Sequence, residues 1–341
     1  MKKIRLGKTG LMVSELGFGG IPIMQLETNN AAEMVRYCFD RGVTFFDTAN
    51  MYYDSEVKIG QALEGVRDQV VIATKSLERT RERAAEHIAN SLKQLRTDYI
   101  DLFQFHNLST DSELETVLAP GGAMEAATEA KAKGHIRHIG FSAHNKDAAL
   151  KVAQTGLFET VQFPFNFVET QALEALFPAA LEKDMGIIAM KPLGGGMLER
   201  ADLCFKFLQQ HPQVLPIPGV SNKEEFDQIL ALYEAPQPMT GQDRQDMERM
   251  REQLGDQFCR RCGYCLPCPQ GVMIREAQMF PAVMNRMASR QIVAFMKNII
   301  ATVDECIECG ECEDKCPYNL PIVEMIKRHA EGFRELEASL D

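Results

Sequence analysis

Eight of the ten cysteines fall in two short runs, FCRRCGYCLPCPQGV and ECIECGECEDKCPYNLP. In the first, Cys259, Cys262, Cys265 and Cys268 stand at every third position; the second reads Cys306-x2-Cys309-x2-Cys312-x3-Cys316-Pro317. Thiolates are soft ligands suited to iron and zinc. Three of them two residues apart reach three corners of one iron–sulfur cube, and a fourth followed by proline projects toward a second cube, which is the spacing of a 4Fe–4S pair. On that pairing one cluster takes Cys259, Cys262, Cys265 and Cys316, and the other takes Cys306, Cys309, Cys312 and Cys268. The first run is one residue shorter before its last cysteine, which leaves the crossover of Cys268 open. Zinc prefers separated Cys-x2-Cys pairs in a tetrahedron. Disulfides join poorly within a turn and do not persist in a reducing compartment. Two 4Fe–4S clusters are therefore expected, with Cys38 and Cys204, in helix-like apolar patterns, as buried bystanders.

A second candidate set is spread over the first half of the chain. Asp47, Tyr52, Lys75 and His106 each stand at or just after the end of a short apolar run. Singly they are ordinary: an Asp after a strand caps a helix, a Lys sits on a rim, and a His is a hydrogen-bonded structural residue. Together they can move a proton. A tyrosine with a pKa of about 10 exchanges its proton poorly at neutral pH. A buried Lys beside the hydroxyl stabilises the phenolate, an Asp holds that Lys, and a His positions a substrate carbonyl. Such a set protonates a carbonyl oxygen while hydride adds to the carbon.

These groups need elements that bring them together. Eight apolar, β-rich runs occur between about residues 12 and 234: SELGFGGIP, TFFDTAN, VVIATK, IDLFQFH, IRHIGFSA, TVQFPFNF, GIIAMKPL and VLPIPGV. Most are followed by an amphipathic segment, as in TRERAAEHIANSLKQLRT, where Ala84, Ile88, Leu92 and Leu95 recur at helical spacing. Apolar strands alternating with helices imply a parallel sheet covered by helices. Eight such units predict an α/β fold, a (β/α)8 TIM barrel, with catalytic groups at the C-terminal strand ends. The turn-rich EAPQPMTGQ marks a boundary, placing a barrel in residues 1–240 and a small, mainly α, ferredoxin-like iron–sulfur domain in residues 241–341. The Met-rich stretch AVMNRMASRQIVAFMKNIIA between the cysteine runs reads as helical core packing. A net charge of -11 argues against a nucleic-acid or anionic-membrane surface, and no apolar run approaches a bilayer span. The N-terminal MKKIRLGKTGLMVSELGFGG lacks the apolar block of a secretory signal, so a cytoplasmic protein is expected.

With these residues in view, the first ~235 positions resemble the aldo-keto reductase family. LGKTGLMVSELGFGG, FFDTANMYYDSE, SLKQLRTDYIDLFQFH, KPLGGGML and IPGVSN match its pattern in order. The resemblance implies Asp47, Tyr52, Lys75 and His106 as the catalytic tetrad, with Tyr52 as general acid and Tyr53 where the family usually has glycine. It also implies a nicotinamide cofactor, NADP or NAD, bound across the strand ends. Carboxamide contacts map to Ser142 and Gln162, with Ala143 in place of the usual asparagine. Met190 stands where many relatives carry an aromatic ring, and Lys191 opens the loop. Gly194, Gly195 and Gly196 would let backbone N–H groups approach the pyrophosphate. Gly219 and Glu225 occupy positions where many relatives carry Lys and Arg for the 2′-phosphate. A carboxylate repels a phosphate and accepts from a ribose diol, so NAD competes with the family's usual NADP.

The cysteine runs add the expectation of an aldo-keto reductase with a C-terminal ferredoxin-like domain. A first reading is reduction of a small-molecule ketone or aldehyde, or the reverse alcohol oxidation, with structural or redox-sensing clusters. A second passes electrons between the barrel site and an external ferredoxin or flavoprotein. That reading needs a carrier that splits hydride's electron pair, such as a flavin. A third, a non-enzymatic cofactor-sensing subunit, is disfavoured by the intact tetrad. Substrate loops offer only apolar hints at Ile21, Met24 and Phe165.

Overall fold

The computed structural model describes residues 1–255, 257–284 and 287–340. They form two compact units, Met1–Met239 and Thr240–Asp341.

The first unit opens with an antiparallel hairpin of β1 (Lys3–Arg5) and β2 (Met12–Ser14). Three-residue strands interrupted by Gly and Lys carry too little alternation to be read from sequence. Leu6 and Val13 from this hairpin pack with Phe45, Val71, Leu102 and Leu215 into one apolar cluster.

The eight apolar runs all form strands: β3 (Phe18–Gly19), β4 (Phe45–Asp47), β5 (Val71–Ser76), β6 (Ile100–Phe105), β7 (Ile136–Ser142), β8 (Thr160–Pro164), β9 (Gly186–Met190) and β10 (Val214–Ile217). They pair in sequence order and all in parallel. Two backbone bonds join the ends of the ladder: the Gly17 N–H donates to the Pro216 carbonyl at 2.9 Å and the Gly19 N–H to the Pro218 carbonyl at 2.8 Å. A Cβ on Gly19 would lie 2.9 Å from the Ile217 carbonyl oxygen, so this seam needs a residue without a side chain. Helices α1 (Thr28–Asp40), α2 (Ser55–Ala62), α3 (Arg81–Gln94), α4 (Asp111–Leu118), α5 (Ala123–Ala132), α6 (Lys146–Gln154), α7 (Leu176–Glu182), α8 (Ala201–Leu208) and α9 (Lys223–Glu234) fill the crossovers. The expected (β/α)8 architecture is the one observed. In α3, Ala84 and Ile88 are buried, as is Leu95 at its end.

The second unit has no strand among the described residues. Its helices are α10 (Gly241–Leu254), α11 (Ile274–Ala277), α12 (Phe280–Met284), α13 (Ser289–Ala301), α14 (Glu311–Asp314) and α15 (Ile322–Ala338). Ile292, Met296, Ile326 and Phe333 form part of its core; Cys312 and Cys316 are buried in that core, and Cys259, Cys265, Cys268 and Cys306 pack against it. Met296 is fully buried, consistent with the Met-rich stretch being core packing. Asn285 and Arg286 of that stretch lie outside the described residues.

Candidate functional site

In the barrel, Asp47 ends β4, Lys75 lies one residue from the end of β5, and His106 follows β6. Parallel registry sets Lys75 beside Gln104, and Ser142 beside Gln162. The Lys75 ammonium, 1% exposed, donates to Asp47 Oδ1 at 2.5 Å and to the Thr48 carbonyl at 2.6 Å. Asp47 Oδ2 accepts from Gln104 Nε2 at 3.3 Å, and the same amide reaches Gln162 Oε1 at 2.9 Å. Burial drives Lys75 below the usual ammonium range and Asp47 above the usual carboxylate range, while their mutual attraction opposes both.

Tyr52 is half-buried above this pair. Lys75 Nζ lies 5.2 Å from the centre of its ring, and the His106 ring stands edge-on to it at 5.7 Å. Burial, followed by the positive charges of Lys75, Arg79 and Lys191, holds His106 well below the usual imidazole range. It is therefore neutral at physiological pH, and its Nδ1 is buried with no hydrogen-bond partner among the described residues. Tyr53, by contrast, is 57% exposed and takes a left-handed backbone, φ 44°. That conformation costs a side-chain-bearing residue about 1–2 kcal/mol and explains why glycine suits the position. It also turns Tyr53 to solvent and leaves Tyr52 as the tyrosine beside Lys75.

The residues expected to hold a nicotinamide group divide in two. Ser142 and Gln162 are both buried: Ser142 Oγ accepts at 3.0 Å from the N–H of Asn107, in the loop after β6, and Gln162 belongs to the Asp47–Gln104 network. Met190, Lys191 and the glycines lie at the end of β9. Lys191 has φ 56° and its Nζ lies 3.2 Å from His144 Nδ1. Gly194, Gly195 and Gly196 have φ of 58°, 77° and 95°, a consecutive left-handed run that only glycine adopts readily. The amides of Gly194 and Gly196 donate to the Lys191 and Leu193 carbonyls within the turn. At the start of α9, Glu225 accepts from the Ser221 N–H at 2.9 Å, and Lys223 Nζ stands 5.0 Å from the Tyr37 ring centre.

Two buried residues of this site escape a motif search. Gln104 is the hub between Asp47 and Gln162; its signal is a polar residue in step with Leu102 in the strand IDLFQF, which also carries Asp101. Glu56, 1% exposed, accepts from Thr74 Oγ1 at 2.6 Å, and burial raises its carboxyl above the usual range. Nothing in its local sequence separates it from a surface acid at the start of a helix.

In the second unit the two cysteine runs come together. Repulsion between their thiolates links Cys259, Cys262 and Cys265, reaches Cys316 from both Cys259 and Cys262, and joins Cys265 to Cys312. Cys268, Cys306, Cys309 and Cys312 line one cavity, where Cys265 also contributes and Ile274 and Ile326 supply apolar wall. Burial pushes the thiols of Cys259 and Cys262 up, that of Cys265 up to about 12, and that of Cys312 up to about 11. Thiolates held there need nearby positive charge, which iron supplies, so the donor set and its burial fit the group. Among the described residues no three His, Cys, Asp or Glu side chains are drawn together as a single-ion site. Cys38 and Cys204 are fully buried in the first unit, and burial pushes both thiols up.

Residues 15–203 match the model of the aldo/keto reductase family, and residues 258–321 match a 4Fe-4S dicluster domain. The chain is 31% identical over 220 residues to the aldo-keto reductase YhdN of Bacillus subtilis, covering 58% of this chain and 64% of that protein. Across three such curated relatives the matched stretch spans 60%, 68% and 64% of their length. Among solved structures, the holo form of aldo-keto reductase AKR11C1 from Bacillus halodurans superposes with a TM-score of 0.64 at 24% identity, over 73% of this chain and 96% of that one. An aldo/keto reductase from Klebsiella pneumoniae, in complex with NADP and acetate, gives 0.60 at 25% identity over 73% and 95%.

Proposed function

Since the chain belongs to the aldo/keto reductase family and carries a 4Fe-4S dicluster domain, we propose that its barrel reduces a small ketone or aldehyde, or oxidises the alcohol, with a nicotinamide cofactor. The buried Lys75–Asp47 pair beneath Tyr52 carries this reading. A nicotinamide bound across the strand ends supplies the hydride. Tyr52 Oη gives its proton to the carbonyl oxygen, and the Lys75 ammonium beside it stabilises the phenolate left behind. Asp47 keeps Lys75 charged and oriented within a buried site, and Gln104 holds the second oxygen of Asp47 in place. Neutral His106 hydrogen-bonds the carbonyl and orients it without competing as an acid. Met190, Lys191, Gly194, Gly195 and Gly196 are the residues at the mouth available to the cofactor, with Ser142 and Gln162 on the floor beneath them. A carboxylate at Glu225 opposes a 2′-phosphate, so NAD competes with NADP as the cofactor, and the Klebsiella pneumoniae neighbour holds NADP.

In the second unit, Cys259, Cys262, Cys265 and Cys316 hold one 4Fe–4S cluster, and Cys306, Cys309, Cys312 and Cys268 hold the other. Each supplies one-electron exchange. The exposure of Cys309 favours, as a second reading, electron exchange between that cluster and an external ferredoxin or flavoprotein. We place the protein in the cytoplasm; among the described residues no helix is long and apolar enough to cross a membrane.

Anaerobic purification, iron counting and titration with NADH and NADPH test the reading. Tyr52→Phe should lower kcat about 10²–10⁴-fold, with cofactor binding and cluster spectra unchanged. Full activity in that variant removes Tyr52 from the mechanism.

A further inference from the structure

The two cysteine runs differ in the charge around them, and on the dicluster reading proposed above that difference has a redox consequence. Residues 258–272 contain Arg260 and Arg261 and no acid. Arg261 takes a left-handed backbone, φ 58°, and its N–H donates to Cys259 Sγ at 3.4 Å. Its Nε is buried with no hydrogen-bond partner among the described residues. The Arg260 guanidinium lies 3.9 Å from the Tyr318 ring centre and 5.7 Å from that of Phe258. Tyr318 follows Cys316 by two residues, so this stack pins a cation where the first loop meets the loop of Cys316.

The other group sits among acids. Residues 304–313, around Cys306, Cys309 and Cys312, hold Asp304, Glu305, Glu308, Glu311 and Glu313, while Asp314 and Lys315 lie between Cys312 and the first group's Cys316. Some are answered: Asp304 by Arg334 at 2.5 Å, Glu308 by Lys327, and Glu311 by Lys315 at 3.1 Å. Glu313 accepts from the Val323 N–H at 2.9 Å, which fixes its carboxylate next to Cys312 without cancelling its charge.

We propose that the cluster held by Cys259, Cys262, Cys265 and Cys316 has the higher reduction potential of the two, and that Arg261 is the positioning residue that sets the gap. Reduction adds one negative charge to a cluster. A cation and an N–H donor at a ligand sulfur stabilise that charge, and a fixed carboxylate opposes it. Water at the exposed Cys309 works the other way by solvating the reduced form of the second cluster. The same water screens the surface carboxylates, whereas Arg261 is half-buried with its Nε enclosed, and its charge is screened less.

The test is an EPR-monitored redox titration of the full-length, anaerobically purified protein and its variants. Two midpoints are expected. Arg261→Gln should lower the higher one by at least a tenfold change in the reduced-to-oxidised ratio, about 59 mV for one electron. Arg261→Lys should move it less, and Glu313→Gln should raise the lower midpoint. A shift of the lower midpoint in Arg261→Gln, or no shift at all, overturns the ordering. If Arg261→Gln loses its clusters, Glu313→Gln decides: an unmoved lower midpoint overturns the proposal, and a raised one supports it. Wild-type protein with iron for fewer than two clusters overturns the dicluster reading itself, and iron counting separates that outcome before any titration.

Discussion

The barrel and the cysteine unit bury polar groups by opposite means. In the barrel, buried charges answer one another: Lys75 pairs with Asp47, and Gln104 ties Asp47 to Gln162, all across neighbouring strands. In the cysteine unit, burial pushes the thiols toward their neutral form, and the opposing Arg261 charge and N–H at Cys259 do not outweigh it, so a metal charge is what would favour thiolates there. The barrel site is therefore built by the protein alone, while the second unit's site is completed by what it binds. Metal affinity in such a unit counts as folding free energy.

The largest effect that distinguishes the two follows from Cys306→Ser. It should abolish the signal of the cluster that Cys306 helps to hold and leave carbonyl reduction in the barrel within about twofold, measured by EPR alongside NADH or NADPH oxidation; the twofold margin corresponds to about 0.4 kcal/mol of barrier. Loss of both together would break the comparison and tie the clusters to turnover. Next, Lys75→Met should cost the barrel about 3–5 kcal/mol in denaturant unfolding, because it strands a buried carboxylate. Cluster absorbance should persist in that variant at low denaturant.

Acid should bear on both units more gently. Burial holds His329 of the second unit down at about 4, below an unfolded value of about 6.5. Between those values the unfolded chain takes up a proton that the folded unit does not, so stability falls as pH drops from about 6.5 toward 4. In the barrel, burial raises Glu159, but hydrogen bonds from His138 and Lys131 outweigh it and hold the carboxyl at about 2. Its stabilisation is full above about 4.5 and fades only as pH falls toward 2. Buried His106 gives the barrel the same acid sensitivity, so the variant separates the units: His329→Phe should move the acid loss of cluster absorbance to lower pH and leave the acid loss of barrel activity in place. The smallest effect belongs to Cys38→Ser, which buries a hydroxyl at a cost of about 1–3 kcal/mol and leaves both cluster signals intact.

Much of this was legible in the sequence because its signals are local. The cysteine spacing is a matter of two and three residues, and every one of the eight apolar runs became a strand. Asp47, Lys75 and His106 could be found because barrel chemistry gathers at strand ends. Tyr52 and Tyr53 are adjacent and identical in type, and the backbone, left-handed at Tyr53, separates a half-buried ring 5.2 Å from Lys75 Nζ from an exposed one. The first hairpin was missed because three-residue strands have no period. Glu56 was missed because its burial depends on Thr74, eighteen residues away along the chain and on another element.

The sequence by itself determined the parallel barrel, the thiolate spacing and the kinds of group available for proton and electron transfer, since periodicity and ligand spacing are properties of neighbours along the chain. Tertiary structure decided which groups meet. Strand registry placed Gln104 between Asp47 and Gln162, and loop packing brought Cys316 to Cys259 and Cys262 with Arg260 stacked on Tyr318. Those juxtapositions join residues tens of positions apart, where burial rather than spacing sets charge and reach.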